Sequence, residues 1–263
     1  MEYIELDSNF INKDLGNNLY SSKDVNSSIF NVASNSNCEL LIKEISDNSI
    51  IEINVKEDSI FKLSILTSKQ FKNVKITANI HKNSQISVYF ADFSTDENSG
   101  NIVVNLLENG ANCSWHLASL SAKKDKKQFD VSVYHIAGHT FAQMDNYGVC
   151  KDTAKLVFSG VSSINKGSHG SKTHQNAKIM VFDENSNAIA KPILKIDEND
   201  IEASHAATVG KINDEHLFYL TSRGLTEAQA KELITFGYLK PILVGFNGED
   251  DKQIINNLIE GRM

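Results

Sequence analysis

The sequence predicts a mainly β protein, a solenoid of short strands followed by a small α-helical domain. Three observations carry this reading. From about residue 28 to 210 apolar and polar residues alternate with β-branched enrichment, and no helical stretch interrupts them, which excludes a βαβ layout. Turn signals recur at a longer spacing, near 25 residues, which suits one coil of a solenoid holding two strands. Beyond Gly210 the pattern changes to helical periodicity punctuated by capping residues.

Residues 1–27 form an N-terminal segment, 28–212 the β core and 213–263 the helical domain. Within the core, segments 38–45, 51–55, 60–66, 74–77, 86–90, 102–104 and 129–134 each alternate with the period of two that puts successive side chains on opposite faces. Asp47-Asn48-Ser49, Glu57-Asp58-Ser59, Lys82-Asn83-Ser84 and Glu108-Asn109-Gly110 introduce strands. Aligned on the central residue, Asp58, Asn83 and Asn109 lie 25 and 26 apart. In the tail, Asn213 caps a short helix through Leu217-Phe218-Tyr219-Leu220 that stops near Arg223-Gly224. Thr226 and Gln229 make a capping box for a second helix, with Ala230, Leu233, Ile234 and Tyr238 on one face and an end before Pro241. Asn247 caps a third, with Asp250 in its first turn and Ile254, Ile255, Leu258 and Ile259 as its stripe.

The chain has 263 residues, a formal charge of −7 and 41% hydrophobic residues, enough for a real core. The acidic balance argues against nucleic acid as a partner, and Lys123-Lys124-Asp125-Lys126-Lys127 reads as a solvated loop. No run approaches the roughly 18–20 apolar residues of a membrane span, and the acidic start lacks the regions of a signal peptide, so a cytoplasmic protein without membrane contact is expected. Cys38, Cys113 and Cys150 are too scattered for a disulfide scaffold or a zinc site and read as buried apolar residues.

Eight histidines are the main chemical candidates. Gly138 breaks the chain between His135, which ends a strand, and His139, and even on one strand the two would stand about 13 Å apart, too far to share a metal. His169 sits in a Gly/Ser loop that lacks the ending of a P-loop, and Asp197-Glu198-Asn199-Asp200 lacks the spacing of a calcium loop. His205 stands apart. Flanked by Ala203, Ser204, Ala206 and Ala207 at the end of a strand, its imidazole is approachable, and neutral imidazole is a good ligand for iron.

The run Ser204-His205-Ala206-Ala207-Thr208-Val209-Gly210-Lys211-Ile212-Asn213-Asp214-Glu215-His216-Leu217-Phe218-Tyr219-Leu220-Thr221-Ser222-Arg223-Gly224 resembles the signature S-H-G-A-T-V-G-x-[IL]-D-x-E-Q-L-F-Y-L-x-S-R-G of the SufB/SufD family. Val157-Phe158-Ser159-Gly160 and Lys191-Pro192-Ile193-Leu194-Lys195-Ile196 resemble its V-F-x-G and x-P-x-L-E-I segments. The resemblance covers about residues 130–240 specifically and from about 30 as generic β coils.

The resemblance implies a right-handed parallel β-helix with a C-terminal helical domain, acting as a non-enzymatic scaffold of SUF iron–sulfur cluster assembly. It implies a SufB-like partner, or a second copy of the chain, joined through the β-helices. A SufC-like ABC ATPase would dock on the helices, here Thr226, Ala230, Leu233, Ile234, Tyr238, Ile254 and Leu258. His205 matches the family's interface histidine, an iron or cluster ligand, so no permanent cofactor is expected, only transient iron or an Fe–S cluster. Ala206 stands where SufB proteins carry a glutamate, and no Cys lies near Ala177, where SufB proteins carry the cluster-forming cysteine. Both departures favour a SufD-like role. Against the resemblance, the chain is expected to be a short member that lacks most of the family's N-terminal helical region. His169 and His174 would lie near His205 if the coils stack in register. A β-helix carbohydrate enzyme is the distant alternative, disfavoured because Arg223 and Arg262 are the only arginines.

Overall fold

A computed structural model describes residues 3–6 and 12–263. Each alternating segment becomes a strand that pairs in parallel with the strand two positions away in the chain, as stacked coils require. The strands are β1 (Ile4–Glu5), β2 (Asn12–Leu15), β3 (Leu19–Ser22), β4 (Ser28–Val32), β5 (Asn37–Ile42), β6 (Ile50–Val55), β7 (Ile60–Thr67), β8 (Val74–Ile80) and β9 (Gln85–Asp92). They continue as β10 (Glu97–Leu106), β11 (Asn112–Ser121), β12 (Lys126–His135), β13 (Phe141–Cys150), β14 (Lys155–Ile164), β15 (Ser171–Val181), β16 (Asn187–Ile196) and β17 (Ile201–Lys211). Odd-numbered strands form one sheet and even-numbered strands the other, so every coil contributes one strand to each. The sequence expectation of a parallel β solenoid with C-terminal helices holds.

The coils are not equal. One ladder of paired residues in the odd sheet runs Tyr20, Leu40, Leu63, Val88, Trp115, Met144, Gln175 and His205. Its steps lengthen from 20 residues at Tyr20–Leu40 to 31 at Met144–Gln175. The strands lengthen with it, from four residues in β3 to eleven in β15, so the solenoid widens along the chain. The spacing near 25 therefore describes only the middle coils, and the repeat looks degenerate because its length drifts.

Turn chemistry explains the abundance of Asn. Asn35, Asn48, Asp58, Asn73, Asn83, Asp96 and Asp152 all adopt positive φ, a conformation that Asn and Asp tolerate better than most side chains. Asp58 and Asn83 stack on one edge, where the Asn83 side chain donates to Asp58 Oδ1 at 3.0 Å, and Asn48 belongs to the opposite edge with Asn73. The next left-handed residue is Gly110, not Asn109, and a Cβ there would collide with the Asn83 side chain. The alignment of turn signals was thus off by one at its last member. A second asparagine stack climbs the outer face of the even sheet: Asn54 donates to Asn31 (3.1 Å), Asn79 to Asn54 (2.9 Å) and Asn105 to Asn79 (2.9 Å).

Between the sheets lies a continuous apolar core, including Phe30, Phe61, Phe90, Trp115, Phe129 and Phe158. A charge pair interrupts it. Lys127 Nζ donates to Asp92 Oδ2 at 2.7 Å with both side chains fully buried, and Thr67, Ser94 and Ser119 also donate to Asp92. Burial pushes the Lys127 amine down to about 8. Burial also works against the Asp92 carboxylate, but the Lys127 charge and the hydrogen bonds outweigh it and keep Asp92 below its usual value. Lys127 is therefore no solvated loop residue; within the basic cluster only Lys123, Lys124 and Lys126 are exposed.

The helices are α1 (Asp214–Ser222), α2 (Glu227–Leu239) and α3 (Glu249–Glu260), with a 3-10 turn at Lys240–Gly245. The Asn213 cap and the Thr226–Gln229 capping box form as expected, and α2 stops ahead of Pro241. Leu239, Ile242, Phe246, Ile255 and Ile259 pack on Leu41, Leu66, Ala91, Phe93, Ala118, Leu120 and Val149, covering the outer face of the odd sheet. Gly245 is required where the 3-10 turn meets β9, since any Cβ would strike the Tyr89 side chain; its carbonyl accepts from Ser64 Oγ at 2.6 Å. Asn247 is not the cap of α3. Gly248 takes that place, while the Asn247 side chain bridges Glu39 and Lys62.

Two expected outcomes follow from the buried polar groups. Lys127→Met strands the Asp92 charge and should cost about 3–5 kcal/mol in urea unfolding, with most of it recovered in Asp92→Asn/Lys127→Met. A double variant as weak as the single one would contradict the pairing. His135 is fully buried, with Nδ1 on Thr140 Oγ1 at 2.7 Å and Nε2 without a partner among the described residues; burial pushes its pKa down to about 4. The unfolded chain takes up this proton near the ordinary value of about 6.5, so native stability is full above that pH and falls as pH drops toward 4. Between pH 7 and 5 the wild type should lose about 2 kcal/mol more than His135→Gln. Equal losses in the two proteins would rule this out.

Candidate functional site

In a parallel solenoid each strand satisfies its backbone through the coils before and after it. The last coil has none after it. Among the described residues β16 ends the even sheet and β17 ends the odd sheet, both at the same end of the molecule. These are long edges, ten and eleven residues, and they are uncovered: every residue of β17 is exposed or half-buried, as is every residue of β16. Ile193, Ile196 and Val209 place apolar surface there. Long exposed edges with apolar side chains are sites where another strand adds.

His205 sits in the middle of β17 and is exposed. It is the final rung of the ladder traced above, and each earlier rung from Tyr20 to Gln175 is buried. His205 thus occupies a core position of the repeat that no further coil covers. Ala203, Ala206 and Ala207 beside it leave its approaches open, and His205 makes no side-chain hydrogen bond among the described residues.

Gln175, the rung beneath, was missed in the sequence. Its Nε2 donates to Ser162 Oγ (2.7 Å) and to the Ile193 carbonyl (3.0 Å), bracing the odd sheet against β14 and the edge strand β16. Thr173 donates to the same Ser162 at 2.9 Å, and Gln175 Oε1 is buried without a partner among the described residues. The core therefore turns polar just below the open end. The signal for this was available only as an exchange of Leu, Val, Trp and Met for Gln at one ladder position, legible once the register is known.

The other candidates separate from His205. His174 lies on the neighbouring strand but pairs with Ser204, so alternation puts it on the other face of the sheet; its Nδ1 is 2.8 Å from Ser204 Oγ and its Nε2 3.8 Å from Glu202. His169 sits in the β14–β15 turn, 3.4 Å from Glu198. Glu198 serves that turn by accepting from the Gly167 N–H. His135 ends β12 while His139 is in the following turn at φ 54°, so the strand is broken between the two, as Gly138 led one to expect. No group of three or more His, Cys, Asp or Glu side chains among the described residues could hold a metal ion. Ala177 pairs with Ala207, and all three cysteines are buried elsewhere. Burial raises their thiol pKa values to about 12 at Cys38, about 12 at Cys113 and about 11 at Cys150, so they carry thiols rather than metal-binding thiolates.

On the helices the predicted docking residues divide. Thr226, Leu233 and Ile254 are exposed, Ile234 and Leu258 half-buried, and Ala230 is buried. Tyr238 is half-buried and meets the Tyr147 ring edge-on at 5.7 Å. The buried residues of α2 are Ala230, Thr235 and Leu239, of which Leu239 packs on the odd sheet beside the 3-10 turn, while Leu233 is exposed. Phe218, Tyr219 and Val244 add exposed apolar surface that the sequence reading did not single out; the Arg223 guanidinium stacks on Tyr219 at 4.9 Å. No helix among the described residues is long and apolar enough to cross a membrane.

Comparison with known proteins places this arrangement. The chain is 31% identical over 137 residues to the iron–sulfur cluster assembly protein SufD of Bacillus subtilis, covering 52% of this chain and 31% of that protein. It is 33% identical over 129 residues to an iron–sulfur cluster assembly SufBD family protein of Mycobacterium tuberculosis (49% of this chain, 15% of the relative). To SufB of Bacillus subtilis it is 26% identical over 123 residues, 47% of this chain and 26% of the relative. The aligned part is thus under a third of each of these relatives. The model of the SUF system FeS cluster assembly SufBD core domain matches residues 21–238, from β3 to the end of α2, and the chain therefore belongs to the SufBD core family.

Proposed function

We propose that this chain is a scaffold subunit of SUF iron–sulfur cluster assembly that joins a second solenoid end to end through β16 and β17. The observation that carries the reading is the uncovered end itself: two long edge strands of different sheets, side by side, with His205 on the last rung of a buried ladder. Strand addition there satisfies the edges, covers Ile193, Ile196 and Val209, and brings His205 to the seam. At that seam His205 acts as a ligand to iron or to the nascent cluster, which is cargo rather than a resident cofactor. One imidazole supplies one of the roughly four ligands a cluster takes, so the partner supplies the rest. A SufB-like subunit fits this best, because Ala206 and the absence of a cysteine near Ala177 leave this chain SufD-like. A second copy of the chain is the alternative partner.

The exposed residues of the helical layer, Leu233 and Ile254 together with Phe218, Tyr219 and Val244, form the surface for a SufC-like ABC ATPase. Thr226 is exposed on the same helical layer, whereas Ala230 is buried and not available for direct contact. The chain is not itself the ATPase; it is the body on which the nucleotide-driven subunit pulls.

Light scattering with and without a SufB-like protein should show a one-to-one complex; a dimer that forms alone and ignores the SufB-like protein would favour the homodimer. Immobilised SufC-like ATPase should retain the full chain and not a version ending at residue 212. Retention of the shortened chain would refute docking through the helices. His205→Ala should leave the melting temperature unchanged, since the imidazole has no side-chain partner to lose. It should lower cluster build-up in the reconstituted complex about tenfold or more. Undiminished build-up would remove the ligand role.

A further inference from the structure

The helical layer is fastened unevenly. At the start of α3, Asp251 is buried and paired with Lys43 at 2.8 Å, and the preceding Asn247 bridges Glu39 and Lys62, so this end is tied to β5 and its neighbours. Past its other end the chain turns at Gly261 and sends the Arg262 side chain, nine-tenths buried, onto the same rim several coils further along, at the loops that follow β9 and β11. There the guanidinium donates to the carbonyls of Phe93 (2.9 Å) and Ser94 and to Asp125 Oδ2. Asp125 is itself fixed, accepting from the backbone N–H groups of Ala122 (2.9 Å) and Asp96 (2.8 Å). From the next loop Lys151 Nζ donates to the backbone oxygens of Arg262 (3.3 Å) and Met263 (2.8 Å). Three successive inter-strand loops, 93–96, 122–125 and 151–154, thus converge on residues 262–263. Among the described residues no comparable anchor holds α1, which buries no side chain and is joined to α2 through Gly224 at φ 95°.

We infer that Arg262 is a latch that fastens α3 to the solenoid rim, so that α3 moves with the coils while α1 remains free of them. The guanidinium suits the task because its planar fork holds two nitrogens apart, Nη1 on the two carbonyls and Nη2 on the carboxylate, a fixed span that the single nitrogen of an ammonium does not offer. Between its two anchors α3 spans the outer face of the odd sheet as a strap. The inference concerns the chain alone and does not depend on which partner binds.

Hydrogen exchange read by mass spectrometry on the full chain tests it. In wild type, peptides from α3 should be protected and those from α1 should exchange quickly. Arg262→Ala should speed exchange across α3 by about tenfold or more while β9, β11 and β13 keep their protection. Arg262→Lys, which retains the charge but not the fork, should fall between. Unchanged α3 protection in Arg262→Ala would overturn the latch. So would equal loss in α3 and in β9–β13, which would make the residue a general stabiliser of the coils, or a lysine variant as well protected as wild type.

Discussion

The inter-coil hydrogen-bond ladder is the constraint on which the rest of this structure depends. A parallel strand has no hairpin partner, so its backbone groups are satisfied only by the coil before and the coil after. Inside the stack this condition is met at every step, and identical positions of successive coils fall into register. The asparagine stacks and the aromatic core both follow from that register. At the last coil the same condition fails on both sheets together, and the failure leaves two open strand edges side by side. At the other extreme of the two sheets, among the described residues, β1 has only two residues and β2 four.

His205 takes its meaning from this constraint. In an interior coil the same position holds Leu, Val, Trp or Met, packed between two sheets. At the end of the stack it is reachable, and an imidazole can stand there without a desolvation penalty. The polar residues directly beneath, Gln175, Ser162 and Thr173, form a graded boundary between apolar core and accessible rung, with the Gln175 and Thr173 donors turned on Ser162 and Gln175 Oε1 alone unpaired among the described residues. The helical layer solves a different problem. It covers the outer face of the odd sheet, where Leu41, Leu66, Leu120 and Val149 break the polar alternation expected of a solvated face. Its buried residues are consumed by this task, and only those rotated outward remain for a partner.

The period of two, the turn residues and the helix caps were readable in the sequence because each is a local rule. Asn213 and Thr226 cap the helices through backbone atoms two or three residues away, and a reader needs nothing more distant. Asn247 misled for the same reason: its side chain finds Glu39 and Lys62 across the molecule instead of the adjacent helix end. Lys127 misled in parallel fashion, since a run of lysines looks solvated until its partner Asp92, 35 residues earlier, is placed against one of them.

The sequence by itself determined the solenoid, the helical tail and, through the run around His205, the family, because alternation, capping and a long contiguous motif are all written along the chain. The tertiary structure decided what lies beside what: that His205 tops a ladder ending in Gln175, that His174 faces away from it, and that α3 is pinned by Arg262. These depend on coil length. A drift of about two residues per turn is invisible in a search for a fixed period, yet it sets which residue stands on which, and a shift of one residue exchanges the two faces of a strand.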